Sequence, residues 1–110
     1  MFKVIVKSVR PNIKDEFFRY DDDMYDYINE VYSETGKILL RETEVSEDSS
    51  IETCTTIFES KADWLEYVKD PVITYQEPIK VRYNIYHKIA VSTNVEDIPV
   101  TKDLYNLYLR

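Results

Sequence analysis

Six blocks of hydrophobic rhythm, strand-like or helix-like in turn, limit what this 110-residue chain can fold into. Phe2, Val4 and Val6 alternate with Lys3, Ile5 and Lys7, the period of two that marks a half-buried strand over 2–10. Arg10-Pro11-Asn12 ends it, because proline offers no ladder donor and restricts the residue before it. Residues 13–20, with Phe17 and Phe18 adjacent, fit an extended lead-in or an early helical turn. From Asp21 the pattern changes: Met24, Tyr27, Ile28 and Val31 recur at three and four, one face of a helix. Asp21, Asp22 and Asp23 stand at its start, where carboxylates cap free amides and suit the helix dipole. Gly36, the only glycine, fits the left-handed position that closes a helix.

Residues 37–45 and 51–59 read as two strands joined by the polar stretch Ser46-Glu47-Asp48-Ser49-Ser50, hence an antiparallel hairpin. Ser60 with Asp63 forms a capping box opening a second helix. Trp64, Leu65 and Val68 are expected as its buried stripe, and Asp70-Pro71 as its stop. After a connection containing Pro78, residues 79–92 read as the longest strand, with Val81, Tyr83, Ile85, Ile89 and Val91 on one face. Past Pro99, Thr101 suits an N-cap, and Leu104, Leu107 and Tyr108 suit a short C-terminal helix.

The order strand, helix, strand, strand, helix, strand predicts an α+β fold of ferredoxin-like βαββαβ type. Its four-stranded antiparallel sheet carries two helices on one face, and its first and last strands are neighbours. We expect one domain over 1–110, with a core over 2–92 and an extension over 93–110. Phe2, Val4, Val6, Val81, Tyr83 and Ile85 would face the helices; Lys3, Ile5, Lys7, Val9, Arg82, Asn84, Tyr86 and Lys88 would face away.

Few reactive groups are available. The chain has one His and one Cys. Cys54 cannot form an internal disulfide, which suits a reducing cytoplasm (the host's, if the chain is viral). No apolar run approaches the roughly 20 residues that cross a bilayer, so no membrane is expected. His87 and Cys54 fall on strands expected not to adjoin, with no third orienting group, and two such groups fall short of a zinc site. Asp21, Asp22, Asp23 and Asp26 lack the alternate spacing and turning glycine of a calcium loop. No cofactor, metal or catalytic residue is therefore expected.

The net charge of −7 opposes phosphate binding, and 51–58 lacks the aromatic pair of an RNA-recognition strand, so nucleic acid is not an expected partner. A protein partner fits better. Six acids and no Lys or Arg lie in 21–36, and ten tyrosines suit an interface. The candidate interaction surface is Asp21, Asp22, Asp23, Tyr25, Asp26 and Tyr32, with Lys3, Lys7, Arg82, Tyr86 and Lys88 on the open sheet face. Tyr105 and Tyr108 are further candidates for exposure. The acidic block also admits mimicry of a DNA backbone that occupies a basic enzyme.

Two resemblances add to this. The element order, with Phe58-Glu59-Ser60-Lys61-Ala62-Asp63-Trp64 leading into the second helix, resembles the antibiotic-biosynthesis-monooxygenase superfamily of dimeric α+β barrels over roughly residues 2–92. That resemblance implies a homodimer paired through open sheet faces and, for an enzyme, a small-molecule oxygenase or haem degrader. The haem degraders carry an Asn, a Trp and a His, the His on the second helix. Here that helix has no His, which argues against haem chemistry. An oxygenase would need a pocket of several hundred Å³ beside Trp64, lined with polar groups. Separately, Ser8-Val9-Arg10-Pro11-Asn12, Glu16-Phe17-Phe18, Thr35-Gly36-Lys37 and Asp70-Pro71-Val72 resemble small proteins of tailed bacteriophages, which imply no particular activity. The expectation is a non-enzymatic interaction module, with a monooxygenase-like enzyme and an acidic DNA mimic as alternatives.

Overall fold

The computed structural model describes residues 1–98, and the expected tail helix with Thr101, Leu104, Tyr105, Leu107 and Tyr108 lies outside them. β1 (Phe2–Val9) runs centrally in a four-stranded antiparallel sheet with β2 (Ile38–Val45), β3 (Ile51–Phe58) and β4 (Ala90–Asp97). The spatial order is β2-β3-β1-β4, so the hairpin and the pairing of first with last strand are both present. The fold is ferredoxin-like α+β.

Directly opposed residues share a face, so the register sorts the sheet into rows. One face carries Arg41, Thr56, Val4 and Val95 in a row, then Thr43, Cys54, Val6 and Thr93, then Val45, Glu52, Ser8 and Val91. The other carries Leu40, Ile57, Lys3 and Glu96, then Glu42, Thr55, Ile5 and Asn94, then Glu44, Thr53, Lys7 and Ser92. The helices cover the first face. Phe2, Val4, Phe58 and Ile38 pack there against Met24, Ile28, Tyr32 and Ile73, with Trp64 and Tyr67 at the edge of the cluster. On the opposite face Met1, Ile57 and Ile98 form a smaller cluster with Leu39 and Leu40.

Local chemistry sets the helix ends. Asp21 caps α1 (Asp22–Ile28) by accepting from the Met24 amide at 2.9 Å, and the helix continues into a π-helical turn over Asn29–Ser33. Gly36 then takes φ +81°, a conformation costly for residues with a Cβ. Ser60 caps α2 (Lys61–Lys69) by accepting from the Asp63 amide at 3.2 Å. Asp70 ends α2 and caps α3 (Pro71–Thr74), accepting from the Val72 amide at 2.9 Å. Its other oxygen accepts from the Tyr27 and Tyr32 hydroxyls at 2.6 Å each, tying α1 and the π turn to the α2–α3 corner.

Residues 79–92 are not one strand. Glu77–Tyr86 form a helix, α4, with Pro78 in its first turn, and β4 starts only at Ala90. The alternation of Ile79, Val81, Tyr83 and Ile85 misled because the aliphatic members point outward: Ile79 is 49% exposed, Val81 45% and Ile85 71%. The partly buried residues are Lys80, Tyr83, Asn84 and His87, a helical spacing hidden by its polar members. Val81, Tyr83 and Ile85 are therefore not sheet residues, and β4 extends past position 92. Arg82, Asn84 and Tyr86 lie on α4, and Lys88 occupies a left-handed turn with φ +56°, so none belongs to the open sheet face. His87 follows α4 and lies in no strand. Leu65 and Val68 are also partly exposed, where a buried stripe was expected. Tyr32 is 1% exposed, so it is a core residue and cannot be an interaction surface.

Burial raises the Asp70 carboxyl pKa, but the Tyr27 and Tyr32 hydroxyls and the Val72 and Ile73 amides outweigh it, and the net position is below the ordinary value. A lowered folded-state pKa contributes stability above the unfolded carboxylate range and loses it as pH falls through the folded value. Asp70→Asn is expected to destabilise the protein by about 1–2 kcal/mol at pH 7 in urea unfolding. That difference should shrink as the wild-type carboxylate protonates in acid; one that stays constant to pH 2 would contradict the assignment.

Candidate functional site

Between the sheet and the helices lies a cavity of about 820 Å³. It exists because α4 meets the sheet through polar and aromatic residues while its aliphatic side chains face outward, so the space over β1 and β4 is not filled by Leu or Ile. Val4 and Val6 of β1, Cys54, Thr56 and Phe58 of β3, and Thr93 of β4 form the floor. Trp64, Tyr67 and Val68 of α2 and Ile73 of α3 form one wall. The segment between β1 and α1 supplies Phe18, Arg19 and Tyr20, and α1 supplies Tyr25. Lys80 and Asn84 of α4 close the remaining side, and Arg41 stands on β2 at the sheet's edge.

The segment 10–20 is irregular but firmly tied. The Arg10 guanidinium donates to the Ser49 carbonyl at 2.8 Å and the Asp15 carbonyl at 2.7 Å while lying 4.1 Å from the Phe17 ring centroid. Farther along, Tyr83 donates to the Glu16 carbonyl, Phe18 packs edge-on against Tyr20 and Tyr83, and His87 Nδ1 lies 3.3 Å from Asp15. These contacts fix α4 to the wall that carries Arg19.

Glu52 is the buried acid of the site. It sits on the helix-facing side of β3, is 5% exposed, and accepts a two-pronged bond from Arg19, with one contact at 3.0 Å. Bonding to Glu52 raises the already high pKa of the Arg19 guanidinium. A carboxylate so bound is held in place and is not a free general base. Cys54 lies one inward position along, its sulfur 3.6 Å from Glu52 and from the Thr43 hydroxyl. Burial pushes the Cys54 thiol up, which keeps it protonated and unreactive. Burial likewise pushes up the Tyr20 and Tyr67 phenols, so both stay protonated and able to donate.

Of the expected surface residues, Tyr25 lines this cavity, whereas Asp22, Asp23 and Asp26 are exposed on α1 and Asp21 is its cap. Lys3 and Lys7 lie on the opposite sheet face. Arg82 and Tyr86 are exposed on α4, remote in register from both lysines. The acidic and basic groups are thus not brought together. His87 and Cys54 share no contact, and among the described residues no group of three His, Cys, Asp or Glu could hold a metal ion. Sequence reasoning missed Arg19, Arg41 and Glu52. Glu52 was detectable: it shares the inward phase of Cys54, Thr56 and Phe58, and a carboxylate there needs a partner.

No family model matches the chain, and no curated protein matches it. Solved structures do. A proposed antibiotic biosynthesis monooxygenase from Deinococcus radiodurans is similar with TM-score 0.56 and 5% identity, over 92% of this chain and 95% of that one. A dimeric ferredoxin-like protein from an uncultured marine organism gives TM-score 0.53 and 9% identity over 92% and 97%. Rv0793 from Mycobacterium tuberculosis gives 0.51 and 9% over 93% and 99%. At these identities the likeness establishes the fold, and none of the three is described as a phage protein.

Removing Arg19 would leave Glu52 buried without its cation. Arg19→Ala is expected to lose about 2 kcal/mol in denaturant unfolding, and adding Glu52→Gln to recover part of it. Equal stability of Arg19→Ala and wild type would show that the pair does not hold the wall.

Proposed function

We propose that this protein binds a flat aromatic small molecule in the cavity between its sheet and helices. The observation that carries the reading is the cavity itself, about 820 Å³ beside Trp64, within the size range of ligand sites. Its walls are rings: Phe18, Tyr20, Tyr25, Phe58, Trp64 and Tyr67. Stacked and edge-on contacts with such walls favour a planar guest. Thr43, Thr56, Thr93 and Asn84 add polar contacts that would fix its orientation. The monooxygenase-like description of one structural neighbour makes oxygenation of such a guest the enzymatic form of this reading. By contrast, the DNA-mimic reading rests on the acidic block alone, and the interaction-module reading on that block and the tyrosines. Helix capping by Asp21 and a solvated helix face account for that block.

Trp64 is the sole tryptophan, so the site has a built-in optical reporter. Titration with a 1,4-naphthoquinone probe is expected to quench Trp64 emission saturably, at micromolar to submillimolar probe. Val6→Phe, which would fill the floor, is expected to weaken that quenching about 10-fold while the variant stays folded by circular dichroism. Unsaturable quenching identical in both proteins would sink the proposal.

A homodimer through the open sheet face is the accompanying proposal, supported by the dimeric ferredoxin-like neighbour. That face carries Lys7 on β1 and Glu42 and Glu44 on the β2 edge, opposite signs that a two-fold axis can bring into register. Light scattering is expected to give twice the chain mass, and Ile5→Glu to give the monomer. A monomeric wild type at high micromolar concentration would exclude it.

A further inference from the structure

We infer that the ligand selected by this cavity is an aromatic carboxylate, its ring against Trp64 and Tyr67 and its carboxylate received by Arg41. The inference rests on the small-molecule reading above and narrows it to a chemical class. Arg41 lies opposite Thr56 in the helix-facing row of the sheet, so its side chain is on the cavity side. Its guanidinium sits 5.8 Å from the Tyr25 ring centroid, and among the described residues it forms no ion pair and no side-chain hydrogen bond. Its neighbour Glu42 belongs to the opposite face by register and reaches the lining only at the sheet's edge, where it forms no ion pair with Arg41. Arg19, the other arginine of the lining, is committed to Glu52. Lys80 adds a second cation without an ion pair, its Nζ 5.9 Å from the Tyr20 ring centroid. The acids of the lining are Glu52, bound to Arg19, then Glu42, and Glu77 in the first turn of α4, where the helix dipole favours a carboxylate.

The neutral polar groups point the same way. Tyr20, Tyr67 and Trp64 line the cavity, and their hydroxyls and indole N–H donate to no described residue. Among the described residues no buried side-chain polar atom lacks a partner, so these unpartnered atoms are not fully buried. Burial is the main cause that raises both phenols; Arg41 opposes it and Glu77 adds to it. An indole N–H and a guanidinium only donate, and a protonated phenol can donate. The uncommitted polar surface is therefore rich in donors, and Arg41 is its planar cation, with Lys80 as a second and Glu42 and Glu77 as its acids. A carboxylate answers it with two planar acceptor oxygens in the fork geometry that arginine binds. A neutral arene leaves those donors unanswered, and an aryl amine brings its charge against Arg41 and Lys80.

Calorimetric titration with naphthalene-2-carboxylate, naphthalene-2-methanol and naphthalen-2-ylmethylamine, matched in ring and differing in head group, decides the matter. Wild-type protein is expected to bind the carboxylate about 10-fold more tightly than the alcohol, the scale of one charge-assisted pair. Arg41→Gln should reduce that preference to about twofold or less, the loss falling mainly on the carboxylate; Arg41 is exposed at a sheet edge, so folding is not at stake. Equal affinity for all three head groups, tighter binding of the amine, or a preference undisturbed in Arg41→Gln overturns the carboxylate assignment and leaves the cavity reading standing. No binding of any of the three by folded protein overturns both.

Discussion

A carboxylate on the inward face of a central strand obliges the chain to bring a cation to it, and much of this molecule follows from that obligation. Glu52 is 5% exposed on β3, and its partner Arg19 comes from the irregular segment between β1 and α1. Leaving such a charge alone in the interior would cost several kcal/mol, so the segment is held over the sheet and does not swing into solvent. Once Arg19 is fixed, Phe18 and Tyr20 on either side of it become cavity wall. Tyr83 and His87 then meet the same segment, which places α4. The ion pair thus organises a wall that hydrophobic packing alone does not supply.

The aromatic residues divide the remaining work according to what their polar tips can reach. Tyr27 and Tyr32 spend their hydroxyls on Asp70, so they serve the corner that joins α1 to α2 and α3. Tyr83 spends its own on the backbone of Glu16. Tyr25 accepts from the Tyr20 amide at 3.3 Å. Tyr20, Tyr67 and Trp64 line the cavity, and their polar tips bond to no described residue. Phenylalanine at the first three positions would preserve the rings and lose the ties, which explains tyrosine at those positions.

The fold was readable because several of its signals are local and mutually consistent. Ser60 with Asp63, the aspartates before Met24, the lone Gly36 and the polar run from Ser46 to Ser50 each mark a boundary found where expected. The alternation at Phe2, Val4 and Val6 likewise placed β1 correctly on the helices. The second half of the chain was less readable, for a physical reason. Periodicity reports burial only when the apolar residues are the buried ones. In α4 they are not: Ile79, Val81 and Ile85 face out, and Lys80, Tyr83 and Asn84 face in. The same inversion concealed the site. A cavity lined by threonines, tyrosines and arginines has no motif, and Arg19, Glu52 and Arg41 meet it only through topology.

That inversion bears on why the cavity stays open. A helix packing aliphatic side chains onto a sheet collapses onto it, because Leu and Ile fill space and gain from every contact. Here the contacts are made by ring edges and by the ends of long side chains, which hold α4 at a distance set by Tyr83 on the segment below it. The floor offers Val6, Cys54 and Thr93, too short to reach across, and β4 leaves Val91 and Val95 at 42% and 49% exposure on its helix-facing side. Apolar surface left uncovered within a folded domain is costly unless something comes to cover it. On the proposed reading, a guest over Val4, Val6 and Phe58 would supply part of that missing layer.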